Sequence, residues 1–421
     1  MTKVREIDEQ IRKPSSTAPG PAEVSLAAYS LVDEATADSI LGKEELNLRA
    51  RLRSVLSKEV APRAAEWDRT SEFAGPSYQA LAKADLGNII FPKKYGGLEL
   101  STLAYGMAVE EIGAACGSTS LIYATQTHAA YPIFLAGTEE QRSRYIPALG
   151  TGTMYGSLAL TEPDAGSDAA AIRTVARRDG EDYILNGSKI FITTGDRANI
   201  IVCFATVDPG LGRSGITAFL LNDEMLGLSR GRVLKKLGMR GSSTAELFFD
   251  DLRVPASARL GPERGGWDLT IRSVVKSRIS AAAQGVGIAR AAYALALGWA
   301  HSAGALGRGG DSRTESILAD VRSQVLSARL MLYQVTSQID ALPERDHNPE
   351  ISMIKFFCTD VGFNVSKTVV ELLGPIGDLM SSPAERYLRD VKATQIYDGT
   401  NQVQRMLVAR DNAHRFLSNT K

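Results

Sequence analysis

Cysteine and histidine are scarce in this sequence. There are three cysteines and four histidines in 421 residues. Cys116, Cys203 and Cys358 are far apart and form neither a disulfide framework nor a metal-ligand pair, and the histidines show no metal-ligand spacing. This shortage argues against a disulfide-stapled secreted domain and against a metal site, and it favours a reducing, cytoplasmic location.

An excess of charge of either sign is also absent. Lysine plus arginine and aspartate plus glutamate number 48 each, so no net field attracts nucleic acid or an anionic membrane. There is no run of about 18 apolar residues that could span a membrane. The N-terminus carries Glu6, Asp8 and Glu9 where a signal peptide needs an apolar core. We therefore expect a cytoplasmic protein with neither a nucleic-acid nor a membrane partner.

Apolar residues are plentiful, at 44% of the chain, and its length predicts two or three packed regions. The second half of residues 1–22 is rich in proline, serine and glycine. This composition predicts that residues 1–22 form a flexible, dispensable arm. Apolar residues then recur at helical spacing, as in Ala104, Met107 and Ala108. We interpret residues 23–154 as an N-terminal helical domain.

The sequence pattern changes twice after that domain. Between residues 155 and 255, β-branched runs such as Ile200-Ile201-Val202-Cys203-Phe204 are separated by glycine, aspartate and asparagine turns, which predicts a small β-sandwich or barrel. Helical periodicity returns over residues 256–421, with long stretches at 267–300, 314–341, 351–373 and 401–417. The predicted fold class is a multidomain α+β protein.

A first motif, Leu160-Thr161-Glu162-Pro163-Asp164-Ala165-Gly166-Ser167-Asp168, follows a predicted strand, and Lys189 to Gly195 lies downstream of it. Gly166 has no side chain, so a ligand can approach its backbone closely. Thr161, Ser167 and Thr193 carry short donors that suit a heterocycle edge or a phosphate. Taken alone, the motif is equally well interpreted as a Pro-Asp-Ala-Gly turn between two strands.

A second motif, Ile396-Tyr397-Asp398-Gly399-Thr400-Asn401-Gln402-Val403-Gln404-Arg405, precedes the last predicted helix. Thr400 and Asn401 are favoured N-cap residues, and the free N–H groups of a helix N-terminus suit an anion such as a pyrophosphate. A simple capping turn is the alternative interpretation. Gly285-Val286-Gly287, by contrast, lacks a preceding strand and a third glycine, so we assign it to helix packing and not to dinucleotide binding.

Together these two motifs resemble those of the acyl-CoA dehydrogenase family, and the resemblance extends from about Leu46 to Leu417. It implies an N-terminal helical domain, a central β domain and a C-terminal four-helix domain, with FAD bound at a subunit interface of a homotetramer, although a dimer is possible. The implied activity is α,β-desaturation of an acyl thioester, carried by CoA or by a carrier protein, with an electron-transfer flavoprotein as a possible acceptor.

The resemblance also implies roles for individual residues. Phe191 takes the place of the aromatic residue, usually tryptophan, that covers the flavin ring, and Thr193 matches a donor near flavin N5. His128, Thr125 and Tyr397 fall at the acyl pocket, although His128 could equally be a satisfied core histidine. The resemblance implies that ten residues contact the cofactor: Leu158, Leu160, Thr161, Ser167, Phe191, Thr193, Gly374, Gly377, Thr400 and Gln402.

Asp398 stands where most of the family has a glutamate base, and Arg278 is expected to support the electrostatics of the site. Some branches carry the base just before this arginine, but serine occupies that position here, so Asp398 is the sole base that matches the family. Aspartate is one methylene shorter than glutamate, which withdraws the carboxylate by roughly 1.3 Å. Aspartate at this place resembles both alicyclic acyl-CoA dehydrogenases and nitroalkane oxidase.

Other departures concern the cofactor clamp. Ala303 stands where the family commonly has an arginine that reaches the FAD pyrophosphate of a neighbouring subunit, and the following loop is shorter. Flavin affinity or the oligomeric state could therefore differ from those of the family. Three functions remain open: an acyl-thioester dehydrogenase, a nitroalkane-oxidase-like or oxygen-using flavoenzyme, and a degenerate scaffold without catalysis.

Overall fold

The structure, a computed structural model, describes residues 35–419. The arm predicted for residues 1–22 lies outside the described residues. Within residues 35–419 seven α-helices come first, then eight strands, then five α-helices, with short 3-10 and π-helical segments between them. The N-terminal helices are α1 Ala35–Asp38, α2 Lys43–Val55, α3 Ala64–Thr70, α4 Gly75–Lys83, α5 Thr102–Ala115, α6 Gly117–Ala136 and α7 Glu139–Gly150.

The strands form one connected sheet in the order β6-β7-β3-β2-β4-β5-β8, and β1 pairs with β4 in parallel. The sheet runs slightly past the predicted boundary at residue 255, because the two-residue strand β8 follows it. The strands are β1 Gly156–Ala159, β2 Val175–Asp179, β3 Asp182–Thr193, β4 Ile200–Thr206, β5 Ile216–Asn222, β6 Leu228–Val233, β7 Thr244–Val254 and β8 Arg259–Leu260.

Strand β4 is buried on both faces, which explains its continuous apolar run. Ile200, Val202 and Phe204 belong to a core shared with the N-terminal helices. The alternate residues Ile201 and Cys203 belong to the interior of the β domain itself. The strand therefore joins two cores, and its register holds the β domain against the helices.

The C-terminal helices pack around the central helix α8. Its glycines allow close helix contacts, since a Cβ at Gly287 would lie 2.2 Å from the carbonyl oxygen of Glu110 in α5, and one at Gly285 would lie 2.8 Å from that of Cys358. The Gly285-Val286-Gly287 segment thus serves helix packing, as predicted. The helices are α8 Gly266–Ser302, α9 Ser312–Ala341, α10 Asn348–Leu373, α11 Pro383–Thr394 and α12 Asn401–Asn419.

A buried ionic network connects the N-terminal helices to the C-terminal ones. Arg290 of α8 contacts both Glu110 and Glu111 of α5, with 3.0 Å between its Nη1 and the Glu111 carboxylate. Arg329 of α9 lies 2.8 Å from Glu110, and Arg53 of α2 lies 2.8 Å from Glu111. Four helices therefore meet at two carboxylates. Among residues 35–419, no helix is long and apolar enough to cross a membrane.

Candidate active site

The turn that carries Asp398 connects α11 to α12 in a left-handed conformation. The φ angle is +57° at Asp398 and +88° at Gly399. The Nε2 atom of Gln404, in the first turn of α12, donates to the carbonyl oxygens of Asp398 at 3.3 Å and of Gly399 at 3.1 Å. A positive φ is unfavourable for a non-glycine residue, so these contacts hold Asp398 in a costly conformation.

Lys355 of α10, which sequence reasoning missed, also holds this turn. Its Nζ donates to the Gly399 carbonyl oxygen at 2.8 Å and to Asn401 Oδ1 at 2.9 Å, and its side chain is fully buried. Burial lowers the pKa of Lys355 to about 7, against the opposing effect of the nearby Asp398 charge. A lysine among the apolar residues Ile351, Ile354 and Cys358 of a predicted helix was the signal that could have identified it.

The polar atoms of Asp398 are available to a ligand. Its Oδ2 is buried, and neither that oxygen nor its backbone N–H has a hydrogen-bond partner among residues 35–419. Arg278 is 8% exposed and its charge acts on Asp398. Arg278 Nη1 lies 3.4 Å from Ser352 Oγ, and burial lowers the pKa of the guanidinium against the opposing effect of Asp398.

The predicted pocket residues differ in their surroundings. His128 Nε2 lies 2.9 Å from Ser280 Oγ, and the imidazole is close enough to Asp398 for the two charges to interact. The Tyr397 hydroxyl donates to Gln284, and burial raises its pKa well above the ordinary value. Thr125 instead donates to the Leu121 carbonyl oxygen of its own helix at 2.8 Å.

The residues around the first motif meet where β1 and β3 end. The backbone N–H of Ile190 donates to the Thr161 carbonyl oxygen at 3.0 Å, and Ser157 Oγ donates to the Thr193 carbonyl oxygen at 2.8 Å. Beside them Phe191 is 63% exposed, with φ at +60°, next to an irregularity in the pairing of β3 with β7. Leu158 and Leu160 are half-buried and Ser167 is exposed.

A buried ion pair fixes the loop between these strands. Lys189 Nζ lies 2.7 Å from Glu162 Oε1 and donates to the Leu160 carbonyl oxygen at 3.0 Å. The Glu162 carboxylate also accepts the backbone N–H groups of Arg173 and Thr174. Glu162 lies inside the first motif and was not singled out as functional, yet it fixes the backbone on both sides of Thr161.

The second group of predicted cofactor residues lies at helix ends. Thr400 Oγ1 accepts the backbone N–H of Val403 at 3.3 Å, so Thr400 is the N-cap of α12, and Gln402 is exposed beside it. Gly374 follows the end of α10 with φ at +58° and open space around it. A Cβ at Gly377 would lie 2.5 Å from the Val370 carbonyl oxygen. Gly374 therefore leaves open space near the end of α10, whereas Gly377 allows the chain to pack closely against Val370.

This order of domains, helical, β-sheet and helical, is that of a class of flavin-dependent oxidoreductases that act on acyl thioesters. The acyl-CoA dehydrogenase N-terminal, middle and C-terminal domain models match residues 42–153, 157–252 and 264–412. The chain belongs to the acyl-CoA dehydrogenase family. It is an FAD-dependent oxidoreductase.

The chain matches similar proteins over nearly all of their length. The chain is 37% identical over 364 residues to cyclohex-1-ene-1-carbonyl-CoA dehydrogenase of Geobacter metallireducens, covering 85% of this chain and 95% of the relative. It matches butyryl-CoA dehydrogenase of Megasphaera elsdenii with a TM-score of 0.84 at 32% identity, covering 89% and 99%. It also matches a prolyl acyl carrier protein oxidase with a TM-score of 0.82 at 28% identity, covering 88% and 99%.

The donor set and the open surfaces fit FAD. The ring of Phe191 is exposed, although aromatic side chains usually pack inward, so its face is open for stacking. The short hydroxyl side chains of Thr161 and Thr193 lie in the strand ends next to it, and Gly374 leaves open space at the end of α10. The predicted aromatic, hydroxyl and glycine positions are therefore all compatible with a bound flavin nucleotide.

Replacing Lys355 by methionine should slow reduction of the flavin by an acyl thioester by roughly 10- to 100-fold, because the turn that holds Asp398 loses a donor and small misplacements of a base are costly. Stopped-flow absorbance would measure the rate. Lys355→Arg should recover part of it. Lys367→Met makes the same change on an exposed part of α10 and should have no effect. A normal rate in Lys355→Met would contradict this positioning role.

Proposed function

We propose that the protein desaturates an acyl thioester and that Asp398 removes the α proton. The observation that carries the proposal is the pair of unpartnered groups on one residue, the buried Oδ2 and the backbone N–H. The carboxylate can accept the proton while the N–H donates to the thioester carbonyl oxygen and stabilises the developing negative charge. When bound, FAD supplies the acceptor for the hydride that leaves the β carbon, and a C=C bond forms.

Two basic side chains surround the proposed base. Arg278 and Lys355 both interact electrostatically with Asp398. Gln284, fixed by the Tyr397 hydroxyl, borders the same turn. We infer that Arg278 acts through charge and that Tyr397 orients the turn, so Asp398 alone exchanges a proton with the substrate.

We infer that the cofactor is held by the residues that the family resemblance assigns to it. Leu158, Leu160, Thr161 and Thr193 would contact the isoalloxazine and Phe191 would cover it. The exposed Ser167 and Gln402 and the capped N-terminus of α12 suit the phosphates, because helix N–H groups attract anions. The resemblance assigns Gly374 and Gly377 to the adenosine portion, and the open space at Gly374 suits that role.

We further propose an alicyclic acyl group. A ring carbon next to the thioester carries one more substituent than the α carbon of a straight chain, so it needs more room beside the base. Aspartate provides that room by withdrawing the carboxylate by roughly 1.3 Å. The similar Geobacter metallireducens protein is named for a cyclohexene carbonyl thioester, which supports the same interpretation.

A second candidate is an oxygen-using enzyme that acts on a carrier-protein thioester. The similar prolyl acyl carrier protein oxidase favours it. Oxygen consumption in the absence of another electron acceptor would support this candidate, whereas electron delivery to an electron-transfer flavoprotein would support the dehydrogenase. Comparing a CoA thioester with the same acyl group on a carrier protein would identify the carrier.

The principal test is anaerobic bleaching of the bound flavin by cyclohexanecarbonyl-CoA and butyryl-CoA, both of which carry an α proton. We expect a cyclic thioester to bleach it fastest. Asp398→Glu should then slow the reaction with the cyclic thioester by roughly tenfold or more, since the longer side chain displaces the ring. The variant should lose less activity, or gain some, with butyryl-CoA.

Two results would contradict parts of the proposal. If butyryl-CoA bleaches the flavin fastest and Asp398→Glu is tolerated, the acyl group is an ordinary straight chain. If no thioester on either carrier bleaches the flavin, the chain is a degenerate scaffold or acts on another class of compound, such as a nitroalkane.

We propose a cytoplasmic homotetramer, with a dimer as the alternative. Exposed apolar side chains occur at Ile376 and Met380 after α10 and at Met406 on α12, which is typical of a surface that another subunit covers. The three cysteines are free and buried, which suits a reducing compartment.

A further inference from the structure

Three helices contribute polar side chains beside Asp398. Tyr105 lies in α5, His128 in α6 and Ser280 in α8. His128 Nε2 is 2.9 Å from Ser280 Oγ, and the charge of Asp398 acts on both His128 and Tyr105. An acyl pocket built only for hydrocarbon needs no such cluster, so these side chains require an explanation.

The hydrogen bonds determine which imidazole nitrogen carries the proton. Ser280 Oγ donates its proton to the Ser277 carbonyl oxygen at 2.7 Å, so it can only accept from His128 Nε2. The neutral tautomer is then protonated at Nε2. Nδ1 is left as an acceptor without a partner among residues 35–419. Burial lowers the pKa of His128, against the opposing effect of Asp398, which keeps the ring neutral.

Tyr105 provides a second unpaired group. It is 1% exposed, and its hydroxyl has no hydrogen-bond partner among the described residues. The hydroxyls of Thr127 and Ser280 are close by but outside hydrogen-bond geometry. Leaving a buried hydroxyl unpaired is unfavourable, and a suitable ligand atom removes that penalty.

We propose that this cluster binds an oxygen substituent, a hydroxyl group, on the acyl portion of the thioester. The hydroxyl would donate to His128 Nδ1 and accept from the Tyr105 hydroxyl, so both unpaired groups would gain a partner at once. Ser280 acts as a positioning residue, because it fixes the tautomer and orientation of the imidazole. The inference rests on the proposed function and deepens it, since it names the substrate class as a hydroxylated acyl group.

Binding can be measured without turnover in the FAD-loaded Asp398→Asn protein. The probes are the CoA thioesters of cyclohexanecarboxylic acid and of 3- and 4-hydroxycyclohexanecarboxylic acid, with thermal stabilisation and the flavin spectrum as readouts. We expect one hydroxylated thioester to bind about tenfold or more tightly than the plain ring, because only the hydroxyl can pair with the Tyr105 hydroxyl and His128 Nδ1.

Further substitutions, each made in the Asp398→Asn protein, distinguish a role in binding the hydroxyl from a structural role. His128→Leu and Tyr105→Phe should abolish the preference for the hydroxylated ring, and each should bind the plain ring as well as before or better. Tyr105→Phe deletes a single oxygen atom, so it remains informative if His128→Leu fails to fold. Ser366→Ala deletes another buried hydroxyl that lacks a partner, elsewhere on α10, and should leave the preference unchanged.

The possible failures are distinguishable. Equal binding of plain and hydroxylated rings, or a preference that survives both Tyr105→Phe and His128→Leu, would overturn the hydroxyl inference and leave the proposed desaturation intact. If no thioester binds and none bleaches the flavin of the unmodified enzyme, the proposed function fails and the inference fails with it.

Discussion

Replacement of Asp398 by asparagine is expected to slow reduction of the flavin by an acyl thioester by about a thousandfold or more. Asparagine has nearly the same size and keeps the backbone N–H, but its amide cannot accept the α proton, and the loss of a positioned general base commonly costs about 10²- to 10⁴-fold. Single-turnover absorbance under anaerobic conditions isolates this step from later electron transfer.

The variant should still bind FAD and substrate, because Gln404 and Lys355 hold the turn through the carbonyl oxygens of residues 398 and 399 and not through the carboxylate. Asp411→Asn is a suitable control, since it alters a carboxylate of the same helix that pairs with Arg415 at 2.7 Å. A nearly normal rate of flavin reduction in Asp398→Asn would mean that the proton leaves by another route.

Regular elements with strong local patterns could be predicted from the sequence. The run Ile200-Ile201-Val202-Cys203-Phe204 lies within β4, and the helix expected at residues 267–300 is found at Gly266–Ser302. Both signals are local, being a buried apolar run and a helical period. Helix α11, Pro383–Thr394, was not predicted. It is only 12 residues long, and its amphipathic pattern follows a serine-proline segment that reads as a turn.

The site was only partly predictable, because its support comes from distant residues. The two motifs indicate where the cofactor and the base belong, and motif residues such as Thr400 do cap the expected helix. The lysine that holds the Gly399 carbonyl is 44 positions away, and the serine that orients His128 is 152 positions away. No local pattern encodes such pairings, which depend on how α6, α8 and α10 pack.

The buried ionic network gives the largest expected change in stability. Arg290→Met should lower the free energy of unfolding by about 3–5 kcal/mol, because it leaves two buried carboxylates with fewer cations. The midpoint of urea unfolding would measure the change, provided that the slope of the transition stays constant. Arg253→Met removes exposed ion pairs with Asp179 and Asp182 and should leave the midpoint nearly unchanged.

The pH dependence tests whether this loss is electrostatic. Burial alone would raise the pKa of Glu111, but the charges of Arg290 and Arg53 outweigh it and lower that pKa to about 2 from an ordinary value of 4.5. A carboxylate with a lowered folded pKa stabilises the protein above its unfolded pKa and loses that effect as pH falls. The difference between the native protein and Arg290→Met should therefore be full at neutral pH and shrink as pH falls from about 4.5 towards 2. If the difference does not change across that window, Arg290 stabilises the helix contacts by packing and not by charge.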